Sequence, residues 1–347
     1  MASSDAIPKL FHSILSNKYF SFHVLAFLSI PTKNVIQKGG IFMLLKDALK
    51  EFLLECKLRQ YTDRTIQHEK NSNTAMFTFV EREYKITELE DLKHIHLKGY
   101  IQYLIDLQRK ETYVNGLIKS FRAFFKYCVE EEYINTNPAL KLKFQKEEIP
   151  MILTFTDEEV VRLVNYFKGT KFLTVRNKLM MIILFDTGVR CSELCNIKMD
   201  DLRENAICIY GKGKKYRYVP ITPAINKWLI KYQLVRANYI KDKSGYKEEY
   251  LLLSQKGKPL TKSTIEKIMK DCKEPCGIRE EIRCSPHTCR HYYAQKQLRN
   301  GCDVYTVSRL LGHKNIAITK RYLQSIQDED ILQMGTKTSP LNSLRIK

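Results

Sequence analysis

No stretch of this chain is apolar for long enough to cross a bilayer. The segment Phe20 to Pro31 (FSFHVLAFLSIP) is far shorter than the roughly 20 residues a spanning helix needs. It also lacks the small-residue cleavage site that would close a signal peptide. A cytoplasmic protein that does not enter membranes is the expectation. The ten cysteines are too few for so long a chain to be a disulfide-stapled scaffold. Cys56, Cys128 and Cys195 fall where helix cores are expected, as free thiols packing like small hydrophobes do. Cys272 and Cys276 have the spacing of half a structural zinc site, with Cys284, His287 and Cys289 nearby, but no matching second pair follows. Internal repeats and long low-complexity stretches are missing. Residues 211–217 (GKGKKYR) are too short for a phosphate-binding P-loop, and the aromatic-glycine sheet motif of RNA binders is absent. No metal and no cofactor is expected.

Acidic residues are also scarce: 38 against 58 lysines and arginines in 347 residues, a net charge of +20. Such a field attracts a polyanion and would be a costly self-repulsion in a protein that meets only neutral ligands, so nucleic acid is the leading partner. The length and the 44% apolar content provide for two or three domains.

Residues 1–42 form a leader that reads equally as a flexible arm, a small accessory piece, or residues upstream of a functional start at Met43. From there Leu45, Leu49, Phe52, Leu53 and Cys56 recur at helical spacing. A second helix is predicted near Thr65 and a third from about Leu89 through Leu104. A fourth carries Leu117, Phe121, Phe124, Phe125 and Cys128 on one apolar stripe. Residues 43–132 are thus a helical bundle, and 133–150, with Asn137-Pro138 and Pro150, read as a linker. A second domain over 151–335 opens at Thr156, where Glu159 completes a capping box. Leu179 to Phe185 (LMMIILF) is apolar around its whole circumference and predicts a buried helix. Ala206–Tyr210 and Tyr216–Val219 alternate as a β-hairpin with a basic tip, and Leu251–Leu253 suggest a further short strand. From Thr261 to about Leu332 the pattern is again helical, and 336–347 form a tail.

Several residues in this second domain could carry chemistry. Arg190 follows the buried run, where its five-donor guanidinium can face a phosphate; a plain salt bridge to Glu193 or Asp200 is the alternative. Lys212 belongs to the hairpin tip. His287 and Arg290 lie three apart on one helical face after Ser285-Pro286, a pair suited to opening a helix. His313 follows Leu310-Leu311-Gly312, and Tyr322 lies nine residues on; alone, it is one tyrosine among 20.

Taken together, TGVRCSEL at 187–194, GKGKKYR at 211–217, SPHTCRH at 285–291, LLGH at 310–313 and the following Tyr322 resemble the tyrosine recombinase/integrase family of phage integrase-like, site-specific DNA recombinases. The likeness spans roughly residues 43 to 335. It implies Arg190 and Arg290 as phosphate-binding arginines, Lys212 as the hairpin lysine, His287 and His313 as the two histidines, Tyr322 as nucleophile and Glu193 as a supporting acid. Cys289 stands where a leucine is common. The implied fold is mainly α: a two-lobed clamp with an N-terminal helical core-binding bundle (SAM-like) and a mixed α/β catalytic domain holding a small antiparallel sheet. The implied partner is double-stranded DNA with inverted half-sites. A homo-tetramer would act on two duplexes, from a dimer or monomer when free, to integrate or excise a mobile element or resolve dimers.

The chemistry is consistent with that resemblance. A phenolate attacking phosphorus retains the bond energy in an ester, so rejoining needs no ATP, and fixed arginines can take the charge that a metal would otherwise take. The resemblance implies a 3′-phosphotyrosyl bond and a free 5′-hydroxyl. Lys212 is the candidate proton donor to the 5′-oxygen; His287 either assists proton removal from Tyr322 or holds an oxygen. A type IB topoisomerase, a catalytically silent DNA-binding protein and an RNA-binding protein are the alternatives.

Overall fold

The computed structural model describes residues 43–148, 152–211, 216–241, 245, 249–326 and 328–343. The leader 1–42 and Lys212 lie outside the described residues. The chain divides into two compact units, Met1–Glu148 and Ile149–Lys347.

Among the described residues of the first unit are four helices: α1 (Leu45–Leu58), α2 (Asp63–Tyr84), α3 (His94–Asp106) and α4 (Glu111–Glu130). The stripe on α4 forms the centre of its core. Phe121, Phe124 and Phe125 are completely buried, and Phe124 meets Phe52 of α1 and Phe77 of α2 edge-on at 5.6 and 5.5 Å between ring centroids. Each such ring contributes about 1.5–3 kcal/mol by leaving water. Helix α3 starts at His94, five residues later than its periodicity suggests. The backbone before it is used elsewhere: Leu89 N–H donates to Met43 O, and Leu45 N–H donates to Thr87 O. Residues 133–148 run back along the bundle. The Asn115 amide donates to Gln145 O at 2.9 Å and accepts from Gln145 N–H at 2.8 Å.

In the second unit, α5 (Asp157–Tyr166) begins with the capping box of Thr156 and Glu159. Helix α6 (Phe172–Thr187) is buried along all of Leu179–Phe185. It is followed by α7 (Cys191–Asn196), β1 (Ala206–Tyr210), β2 (Tyr216–Pro220) and α8 (Pro223–Ile240). Then come α9 (Lys262–Asp271), α10 (Pro286–Arg299), α11 (Val304–Leu311), α12 (Ile316–Lys320), a 3-10 turn (Arg321–Ser325) and α13 (Asp328–Lys337). The strands pair antiparallel, with Tyr210 opposite Tyr216 and Ile207 opposite Val219. This hairpin is the whole sheet among the described residues. Leu251–Leu253 are fully buried but form no strand, because their partners are scattered. Leu251 N–H donates to Ile197 O and Leu253 N–H to the Tyr232 hydroxyl, while Leu252 O accepts from Leu260 N–H.

The cysteines at 272, 276, 284 and 289 are buried free thiols of this core. Among the described residues, no His/Cys/Asp/Glu group is arranged to hold a metal ion, and no helix is long and apolar enough to cross a membrane.

Candidate active site

The site starts where α6 stops. Gly188 caps that helix at φ +60°, a conformation that disfavours a side chain. A Cβ there would lie 2.6 Å from a ring carbon of Tyr293 on α10 and 2.9 Å from Leu311 on α11. The glycine therefore lets three helices converge. Its carbonyl accepts from Arg290 Nη1 at 2.7 Å, and Leu311 O accepts from Arg290 Nη2 at 2.7 Å. Arg290 is 3% exposed. Burial, and then the neighbouring Arg190, bring its guanidinium down to about 10, so it remains a cation at neutral pH.

Two residues beyond Gly188, Arg190 caps α7 while its side chain remains exposed. Glu193, one turn into α7, takes Arg190 N–H at Oε2 and Arg190 Nη1 at Oε1, both at 2.8 Å. The same carboxylate accepts from Arg217 Nη1 at 3.0 Å and Nη2 at 2.7 Å, while Arg217 Nε donates to Leu310 O at 2.7 Å. Burial acts to raise the Glu193 pKa, but Arg217 and Arg190 outweigh it and hold the carboxyl below its usual range. Arg217 thus ties β2 to α7 and to the end of α11. Gly312, at φ +67°, passes so close that a Cβ would come within 3.0 Å of the Arg217 side chain.

His313 follows Gly312, with Nδ1 2.7 Å from Thr319 Oγ1 on α12. Burial and then Arg290, Arg190 and Arg217 push its imidazole down to about 4. His287, open to solvent at the start of α10, meets His291 with ring centroids 4.1 Å apart. Burial, Arg290, Arg283 and Arg190 lower its pKa. Tyr322, in the 3-10 turn, is 3% exposed and packs with Tyr293, Leu298, Val307 and Leu311. Its burial raises the phenol pKa against the opposing pull of Arg290, Arg321 and Arg190.

Arg190, Glu193, His287, Arg290, His313 and Tyr322 therefore come together in one unit. Two members of the cluster were not singled out by the sequence reading. Arg217 shares the inward face of β2 with Val219, and an arginine at an inward position of an alternating strand is a signal of its own. His291, four residues after His287 on the same helix face, has its Nδ1 2.9 Å from the Tyr322 hydroxyl.

The model of the phage integrase family matches residues 154–329. The chain belongs to that family. Its activity is accordingly that of a tyrosine-type site-specific recombinase, which breaks and rejoins DNA through a phosphotyrosine. Among relatives, tyrosine recombinase XerD of Oceanobacillus iheyensis is 29% identical over 282 residues, covering 80% of this chain and 94% of the relative. Tyrosine recombinase XerC of Thermodesulfovibrio yellowstonii is 28% identical over 298 residues, covering 85% and 96%. The fold resembles that of the XerH site-specific recombinase bound to palindromic difH substrate, with a TM-score of 0.64 and 18% identity, covering 86% of this phage integrase-family chain and 96% of the other. It also resembles a lambda integrase tetramer bound to a Holliday junction, with a TM-score of 0.62 and 17% identity, covering 81% and 77%.

Proposed function

We propose that Tyr322 is the nucleophile of this recombinase and that Arg190, Arg290 and His313 bind the scissile phosphate. The observation that carries this reading is the position of the Tyr322 ring inside the field of Arg190 and Arg290. Tyr322 passes its proton to a neutral histidine of the site and its oxygen forms a bond to phosphorus as the bond to the 5′-oxygen breaks, leaving a 3′-phosphotyrosyl ester and a 5′-hydroxyl. Negative charge grows on the non-bridging oxygens during this step. Arginines already held by Glu193, Gly188 O and Leu311 O meet that charge without having to reorganise, and this preorganisation lowers the barrier. Glu193 orients Arg190 and Arg217 and does not itself touch the phosphate. His287, at the open end of α10, is assigned either to assist removal of the Tyr322 proton or to hold a phosphate oxygen. Lys212 is assigned, on the sequence resemblance, to protonate the leaving 5′-oxygen. Rejoining runs the same steps in reverse with a different 5′-hydroxyl.

The substrate is double-stranded DNA carrying inverted half-sites, recombined in the cytoplasm by a homo-tetramer that brings two duplexes together. The net charge of +20 and the likeness to a tetrameric lambda integrase on a Holliday junction support this assembly. The residues 43–132, a bundle with many exposed lysines, would bind DNA, with residues 151–335 as the catalytic unit and 336–347 as a tail.

A nicked duplex carrying the half-site that the chain binds most tightly, selected from random duplexes, tests the assignment. The wild-type chain should form an adduct that survives denaturation. Tyr322→Phe should bind the duplex equally well and form none. An adduct with the phenylalanine variant would remove Tyr322 from the role.

A further inference from the structure

We propose that His291 aims the nucleophile: its Nδ1 accepts the phenolic hydrogen of Tyr322 and so turns the oxygen's lone pairs toward the scissile phosphate. This role rests on Tyr322 being the nucleophile and concerns a histidine outside the set that the sequence pattern assigns. Three observations support it.

The first is geometric. His291 Nδ1 and the Tyr322 oxygen are 2.9 Å apart, a normal hydrogen-bond distance, and the two rings lie 5.5 Å apart at 57°. The other two histidines are differently engaged. His313 Nδ1 is at Thr319, and His287 stands edge-on against His291.

The second is rigidity. His291 projects from α10, whose first turn is capped by Ser285 and carries Pro286. That helix is tied down by Gln295, which donates to Ile152 O, and by Thr288 O, which accepts from Thr154. Tyr322 instead belongs to a five-residue 3-10 turn whose neighbouring side chains Arg321, Leu323 and Gln324 are exposed. A hydrogen bond from a short turn to a well-anchored helix fixes the direction of the O–H about its C–O bond and ties the oxygen to a rigid element.

The third is protonation. Burial, followed by His287, Arg290 and Arg321, pushes His291 down to about 4. The imidazole is therefore neutral at physiological pH and keeps one nitrogen as an acceptor. The phenol lies above its ordinary value of 10.0, so the shared proton rests on oxygen. The hydrogen bond orients the resting phenol; it does not ionise it. Donation toward His291 also keeps the oxygen's negative end in the field of Arg190, Arg290 and Arg321.

Single-turnover adduct formation on the nicked duplex tests this in the full chain, with DNA affinity measured alongside. His291→Phe keeps ring bulk and removes the acceptor. It should slow adduct formation by about 10²-fold, the scale of a misplaced reacting atom, with DNA affinity unchanged. His291→Asn places an amide oxygen near the position of Nδ1 and should recover most of the rate. Nitrogen NMR of the wild-type chain should show His291 Nδ1 without a proton, with a resonance that moves in Tyr322→Phe. Adduct formation at the wild-type rate in His291→Phe, an asparagine variant as slow as the phenylalanine one, or a protonated Nδ1 would each overturn the proposal. The two readings fail separately: a Tyr322→Phe protein that still forms adduct refutes the nucleophile itself, whereas an inert Tyr322→Phe beside a fully active His291→Phe refutes only the role of His291.

Discussion

At the scale of single residues, the site is a set of cations held close together by one buried carboxylate and a few carbonyls. Neutral histidines fill the space between them, and their neutrality has a measurable consequence. His291 and His313 are both held near 4, against about 6.5 in an unfolded chain. Below pH 6.5 the unfolded chain binds protons that the folded one refuses. Stability that is fully present above that pH is therefore lost progressively as pH falls toward 4. Arg190, Arg217, Arg290, Arg321 and His287 all face these two rings and strengthen the effect. Glu193, whose carboxyl is depressed, loses its contribution only at lower pH, below about 4.3. Urea midpoints should thus decline between pH 6.5 and 4, and His313→Asn should flatten part of that decline. A wild-type midpoint constant over this window would contradict the neutral histidines.

At the scale of elements, the sequence signals were strongest where burial is one-sided or complete and weakest where backbone partners lie far along the chain. The stripe on α4 and the all-round apolar α6 were legible because each helix is buried by its own residues in a regular period. The start of α3 was not, because Leu89 is occupied by a bridge to Met43, and no local pattern encodes that pairing. Leu251–Leu253 have the composition of a strand but share their hydrogen bonds among residues 197, 232 and 260. The convergence of α6, α10 and α11 depends on Gly188. Gly188→Ala would add a Cβ 2.6 Å from Tyr293 at a positive φ, at a cost of about 1–3 kcal/mol. The helices would also move apart around the carbonyl that holds Arg290. We expect a lower melting temperature together with a fall in adduct formation larger than the loss of folded protein explains. An alanine variant with wild-type melting and cleavage would show that the close approach is not required.

For the molecule as a whole, hydrophobic cores within each of the two units and a net charge of +20 describe a protein that spends folding energy on two units and uses its surface for a polyanion. DNA affinity should fall linearly on a log–log plot against salt. For six to ten phosphate contacts the loss is about 10³ to 10⁵ between 50 and 200 mM salt. A flat salt dependence in filter or fluorescence binding would mean that the charge is not used on phosphates.

Composition and periodicity are local properties, so the sequence alone determined a basic surface suited to a polyanion, the helical bundle and the hairpin, while the resemblance to the recombinase family named Arg190, Glu193, His287, Arg290, His313 and Tyr322 as candidates. Only the tertiary structure decided what each of them touches. Glu193 meets Arg217 across 24 residues, Tyr322 meets His291 across 31, and Arg290 meets Gly188 O across 102. Those pairings follow from how helices pack around a glycine without a side chain, which no window of neighbouring residues contains.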